Sequence, residues 1–284
     1  MNPRDSGKAM QPANGHHVQR LPWNSATTSD IMAAGGRRHH VQALVEIDVT
    51  EARDRMRAWQ ARTGERISTT GWLACCLARA LSDYPALNVN RLGARRVVQF
   101  DDVDVMVVVE RAAEGERRGI PLVNRAANRK SLQDLHAEVR AAQGQPLAGD
   151  DMVLGRNESR HWLSRLPFAA RLYPHCPAWV RGLLWRYLAR NGRAAQRVMG
   201  TAAITSVGMF GHLPGWPLIA GVHTVELAVG SIVRKPWVVG DRIEPREILA
   251  LTVLVDHDLV DGAAAARFVS HLGDLLQQAQ GLAE

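Results

Sequence analysis

Hydrophobic and polar positions alternate with period two in "HHVQALVEIDVT", where Val41, Ala43, Val45, Ile47 and Val49 share one side. That pattern predicts a half-buried strand. Thr50 stands where a helix cap is needed before "EARDRMRAWQARTG", which Gly64 closes. The segment "STTGWLACCLARALSDY" is apolar on most sides, so a buried helix is expected there, ending before Pro85. Further on, "DVDVMVVVE" is dense in β-branched residues and suits a strand covered on both faces. "GIPLVNRAANRKSL" reads as strand and turn, with Ser131 placed to cap the helix "LQDLHAEVRAAQG". Three β-like runs, "TAAITSVGMFG", "HTVELAVGSIVRKPWVV" and "REILALTVLVDHDL", precede a last helix, "AAAARFVSHLGDLLQQAQ". Strands mixed with helices, without regular βαβ alternation, predict an α/β protein with a mixed sheet and helices packed against it.

Two regions depart from this pattern. Residues 1–38 show no sustained periodicity and are expected to form an extended or disordered N-terminal arm on a domain spanning 39–284. The stretch from about 156 to 199 interrupts the domain with a different composition. Trp179, Val180, Leu183, Leu184, Tyr187 and Leu188 recur at helical spacing among Arg181, Arg186 and Arg190, which predicts a basic amphipathic helix. Packing on the body or at a subunit contact is the plain reading of that helix. A membrane surface or an acyl-chain pocket is the functional one.

Charge sharpens the contrast. The chain carries a formal +7, yet Arg156 to Arg197 holds nine arginines against the single acid Glu158, so the rest is close to neutral. Basicity is a local feature, and nucleic-acid binding is not expected. With 46% hydrophobic residues the 284-residue chain can bury a sizeable core. No run of about 18 apolar residues appears and the N-terminus lacks the apolar core of an export signal, so a cytoplasmic protein is expected, peripheral at a membrane if the insertion binds one. Cys75, Cys76 and Cys176 have neither metal-ligand nor redox spacing and read as reduced thiols.

The chemistry concentrates at "VDHDLVDGAAAARF". His257 falls where a strongly β run ends and before the Gly262 turn, and imidazole is the side chain suited to proton transfer at neutral pH. Asp261 is placed to hold the ring or to brace the loop. By spacing alone such a pair is more often structural. Asp101, Asp102 and Asp104 suggest a metal, but a solvated strand start explains them better, and no metal site is expected. His39 and His40 lack a partner at ligand spacing and suit a surface or interface. Gly208, Gly211 and Gly215 have no following lysine for a phosphate loop. His212 and His223 lie near Thr205 in sequence and are candidates to line a cleft.

Read as a whole, "DHDLVDGAAAARF" resembles the His-x-x-x-Asp-Gly motif of the catalytic domain of dihydrolipoyl acyltransferases of 2-oxo acid dehydrogenase complexes, a relative of chloramphenicol acetyltransferase. "TAAITSVGMFG" is similar to that family's Thr-Ile-Ser-x-x-Gly signature, and "VEIDVT", "YPALNVN" and "IPLVNRAANRKSL" follow the family's order. The resemblance implies a chloramphenicol acetyltransferase-like mixed sheet with flanking helices that assembles as trimers, or as a larger trimer-based assembly, with active sites between subunits. It implies His257 as general base, Thr205 as hydroxyl donor to the tetrahedral oxyanion, and Asp261 as the residue that steadies the loop. Ser206 is the alternative donor, and Gly208 and His212 join it as candidate substrate-binding positions. The implied substrates are a coenzyme A or lipoyl thioester and a small thiol, hydroxyl or amine. No tightly bound cofactor is implied. Asp258 replaces the family's usual arginine, which predicts a lost or reversed ion pair. No lipoyl or subunit-binding domain is recognisable, so a lipoyl arm is expected from a lipoylated partner if one is used. A non-catalytic oligomeric scaffold that binds a partner or membrane through the insertion is the alternative.

Overall fold

A computed structural model describes residues 25–113, 116–144, 173–207 and 214–282. Helix α1 (Ser25–Gly35) leads into strand β1 (His40–Asp48), helix α2 (Thr50–Thr63) and helix α3 (Thr69–Asp83). A short hairpin, β2 (Val89–Leu92) and β3 (Arg96–Gln99), precedes the long hairpin β4 (Val105–Ala113) and β5 (Glu116–Asn124) and helix α4 (Leu132–Gly144). Later in the chain come α5 (Ala178–Arg190), α6 (Gly192–Met199), β6 (Ala202–Ser206), β7 (Val225–Val239), β8 (Arg242–Asp256) and α7 (Gly262–Gln277).

Six strands form one mixed sheet in the order β1-β8-β7-β6-β4-β5. Strand β6 runs parallel to both β4 and β7, while the other pairs are antiparallel. Side-chain alternation gives the sheet two different faces. Val225, Leu227, Val229, Leu249, Leu251, Val253 and Ile204 join Trp72, Leu77, Leu81, Phe268 and Leu272 in one apolar core under α3, α4 and α7. Trp72 and Phe268 are fully buried there, and each removes on the order of 150–250 Å² from water. The opposite face carries small side chains, Ala203, Ala228, Gly230, Ala250 and Thr252, and residues 214–222 lie across it. Trp216 Nε1 donates to the Val45 carbonyl at 2.9 Å and Gln42 Nε2 to that of Ile219 at 3.2 Å. A Cβ on Gly230 would sit 2.2 Å from the Gly215 carbonyl, so this close approach requires glycine.

Helix ends follow local chemistry. Ser68 caps α3 by accepting from the Gly71 N–H, and Ser131 and Asp134 exchange hydrogen bonds at the start of α4. Gly64 closes α2 at φ +77° with its N–H on the Gln60 carbonyl. Thr50 behaves otherwise. Its hydroxyl donates to Asp48 and accepts from the Glu247 N–H, so it joins β1 to β8 rather than capping α2.

Two further expectations are corrected. Part of the supposed arm, Ser25–Gly35, is helical; it has no apolar stripe to betray it and is held by tertiary contacts, chiefly at Asp30. Asp104 is not a solvated strand start. It is 2% exposed and accepts from Arg125 Nη1 at 2.8 Å, Gln196 Nε2 at 2.6 Å and the Ala126 N–H at 2.8 Å, tying β4 to α6. Asp102 does remain partly exposed, paired with Arg129.

Candidate active site

His257 lies on the turn between β8 and α7. Backbone hydrogen bonds and ion pairs anchor it. The His257 N–H donates to the His39 carbonyl at 3.0 Å, and the Val260 and Leu259 N–H groups donate to the Asp256 carbonyl. Asp256, buried, pairs with Arg38 at 2.8 Å. Asp258 accepts from His39 Nδ1 at 2.9 Å and Arg91 Nη2 at 3.2 Å. The expected ion pair is therefore reversed: the acid is on the turn and the basic groups come from β1's approach and β2. The hydrogen bond from His39 is the main cause that holds the Asp258 carboxyl below the usual carboxylate range, with Arg91 and Arg38 nearby adding to it.

Asp261 braces the loop and does not hold the ring. Its carboxylate accepts from the Ala264 N–H at 2.9 Å as the N-cap of α7, and that backbone hydrogen bond keeps it charged below the ordinary carboxylate range. The His257 ring is exposed and has no hydrogen-bonding partner among the described residues. Its Nε2 lies against the start of α7, 3.6 Å from where a Cβ on Gly262 would be.

Thr205 sits near the end of β6, half-buried, between Ile204 and Ser206. Its cross-strand partner is Ala228, and Ala228 pairs with Thr252, so Thr205 projects onto the small-residue face. Ser206 projects to the other side, the one the helices cover. This separates the two candidate hydroxyls. Only Thr205 lies on the side of the sheet that carries Ala228 and Thr252.

Within one chain the structure does not bring Thr205 and His257 together. From the Thr205–Ala228–Thr252 row, His257 is five residues further along β8 and two strands across. At about 3.3 Å per residue and about 4.8 Å per strand, they stand roughly 19 Å apart. Gly208 and His212 fall outside the described residues. His223 is not in a cleft. It is buried, with Nδ1 on Glu226 Oε1 at 2.7 Å and Nε2 on the Met199 carbonyl at 3.1 Å. Burial alone would raise the Glu226 carboxyl; hydrogen bonds from the His223 ring and the Val222 and His223 N–H groups outweigh it and hold that carboxyl low. His40 also has a structural partner, the His223 carbonyl. No group of three or more metal-ligating side chains occurs among the described residues.

The sequence reading missed Arg38, His39 and Arg91 as supports of the turn. An acid directly after the candidate base was the one available sign that basic partners had to come from elsewhere.

The mixed sheet with one helix-covered face is a fold of the kind seen in chloramphenicol acetyltransferase. The fold matches chloramphenicol acetyltransferase itself with a TM-score of 0.50 at 14% identity, over 90% of this chain and 96% of that one. Residues 184–283 match the family model described as 2-oxoacid dehydrogenases acyltransferase (catalytic domain). The Azotobacter vinelandii dihydrolipoamide acetyltransferase superimposes with a TM-score of 0.65 at 19% identity, covering 96% of this chain and 98% of that one. The dihydrolipoyllysine-residue acetyltransferase component of the Acholeplasma laidlawii pyruvate dehydrogenase complex is 39% identical over 97 residues, 34% of this chain and 18% of that protein. The lipoamide acyltransferase component of the Pseudomonas aeruginosa branched-chain alpha-keto acid dehydrogenase complex is 25% identical over 96% of this chain and 55% of its own length. The chain thus spans little more than half of even that relative.

Proposed function

We propose that the protein is an acyltransferase that moves an acyl group from a coenzyme A or lipoyl thioester to a small thiol, hydroxyl or amine. His257 takes the proton from the acceptor as that atom attacks the thioester carbonyl. The carbonyl oxygen becomes an oxyanion, and the Thr205 hydroxyl donates a hydrogen bond to it. Collapse of the tetrahedral intermediate breaks the carbon–sulfur bond, and the leaving thiolate takes the proton back from His257. Asp261 and the Asp258–His39 pair keep the turn in place without touching the reacting atoms.

The observation that carries this reading is the state of His257: an exposed ring with no hydrogen-bonding partner among the described residues, on a turn whose neighbours Asp256 and Asp258 are both ion-paired. A structural histidine would be expected to resemble His223, with both ring nitrogens occupied. The separation from Thr205 within one chain supports a homotrimer, or a larger trimer-based assembly, in which the base of one subunit faces the hydroxyl of the next. The relatives' names support a lipoyl thioester, since they describe dihydrolipoyllysine and lipoamide acyltransferase components.

A panel of acyl-coenzyme A thioesters, with candidate acceptors, tests the proposal by release of free thiol. Transfer by the unaltered protein and its loss in His257→Ala is the expected result; equal rates in both would remove His257 as the base. The proposed location is cytoplasmic, with the insertion at a membrane surface. No described helix is long and apolar enough to cross a membrane.

A further inference from the structure

Helix α5 (Ala178–Arg190) holds a polar network on its inward side, beside the buried Leu188. Arg181 Nε pairs with Asp30 at 2.6 Å and Arg181 Nη1 donates to the Cys176 carbonyl, while Tyr173 donates to the same Asp30 carboxylate at 2.7 Å and accepts from Trp185 Nε1 at 2.8 Å. These groups are largely buried between α5 and α1, and burial, with the Asp30 hydrogen bond, pushes the Tyr173 hydroxyl up to about 12. The outward side is apolar: Trp179 is 69% exposed, Leu183 50%, Leu184 44% and Tyr187 55%. Trp179, Leu183 and Tyr187 are four residues apart, so they form one stripe along the helix. The polar network fixes the helix's rotation, and the stripe cannot turn inward without breaking it.

The charge around the stripe is of one sign. From Ala178 to Met199 the chain has five arginines and no acid. Arg181 is committed to Asp30, whereas Arg186, Arg190, Arg193 and Arg197 are exposed and have no ion pair among the described residues. Arg95 and Arg96 extend the same basic surface, because the Gly93 N–H binds the Arg190 carbonyl and Leu92 bridges to Asn191. A second copy of this surface would bring like charges together. A tryptophan, a tyrosine and leucines bordered by unpaired arginines fit the boundary layer of an anionic bilayer, where apolar side chains enter the acyl region and guanidinium groups meet lipid phosphates.

We infer that the outward face of α5, with Arg186, Arg190, Arg95 and Arg96 around it, docks the protein on an anionic membrane surface. This makes specific the membrane placement proposed above and is independent of the acyl-transfer chemistry. The test is co-sedimentation of the full chain with vesicles of phosphatidylcholine alone and with vesicles containing about a third phosphatidylglycerol. Binding is expected only to the anionic vesicles, falling at least tenfold for Leu183→Glu and for the double variant Arg186→Gln/Arg190→Gln, and weakening as salt is raised. Two variants of different chemistry guard against one that fails to fold. Absence of binding to anionic vesicles, or binding unchanged in both variants, overturns the inference. A change in the oligomeric mass of Leu183→Glu without vesicle binding also overturns it, and assigns the stripe to a second copy. No acyl donor is present in this assay, so its failure leaves the acyltransferase reading standing, and loss of transfer in the thioester assay leaves this one standing.

Discussion

The His257 turn and helix α5 are both exposed, and they are built in opposite senses. At the turn, backbone bonds and the Arg38–Asp256 pair face inward, the His39–Asp258 pair lies at the surface, and one polar ring faces out with no hydrogen-bonding partner among the described residues. On α5 Arg181 and Trp185 face inward in one polar network, and Trp179, Leu183, Leu184 and Tyr187 face out. An unpartnered polar group on rigid support is suited to chemistry on something that arrives. An uncovered apolar stripe on rigid support is suited to a surface that arrives. The first belongs to the part of the chain that matches the family model; the second straddles the start of that match, with Trp179 and Leu183 before it and Leu184 and Tyr187 within it.

The largest expected effect breaks the first half of this contrast. His257→Ala is expected to lower acyl transfer by about 10²–10⁴-fold with an unchanged melting temperature, since the ring holds nothing in place. Thr205→Val is expected to cost about 10²–10³-fold in kcat, with Thr205→Ser retaining most of the activity because it keeps the donor. A Ser206→Ala variant with the larger loss would reverse that assignment. Stability measurements sharpen the second half. Asp30→Ala removes the anchor of Arg181 and Tyr173 and is expected to cost about 2 kcal/mol in chemical denaturation, with vesicle binding reduced because the stripe is no longer held.

Smaller effects follow at the turn. Asp261→Ala removes the cap of α7 and is expected to cost about 1 kcal/mol with only a modest loss of activity, whereas a direct partner of the ring would give a loss approaching that of His257→Ala. The pH dependence of folding gives a further check. The Glu226 carboxyl is held below its ordinary value in the folded protein, so its contribution is complete above about pH 4.3 and is lost as the pH falls through the depressed folded value. Glu226→Gln is expected to flatten the acid limb of the stability curve. An unchanged acid limb would show that the pair with His223 does not set it.

Much of this arrangement was legible in the order of residues. The alternation through β1 and the β-branched density of β4, β7 and β8 gave the sheet, because each of those strands buries one or both faces. Helix α1 was not legible, since its stability comes from Asp30 meeting Arg181 about 150 residues away rather than from an apolar stripe. Asp104 misled for a related reason: a strand-start acid looks solvated until Arg125 and Gln196 close over it. At the candidate site, the ordered motifs pointed to His257 and Thr205, and their separation within one chain follows only from strand register. The role of Asp261 as a helix cap and not a ring partner required its backbone contact to be seen.

The central claim, that His257 of one subunit works with Thr205 of another, is tested most directly by co-expressing His257→Ala and Thr205→Val chains. Each variant alone is nearly inactive. In randomly mixed symmetric trimers about a quarter of the interfaces pair an intact His257 with an intact Thr205, so the account predicts recovery of about a quarter of the unaltered activity. No recovery above either variant alone, in trimers shown to contain both chains, would contradict it.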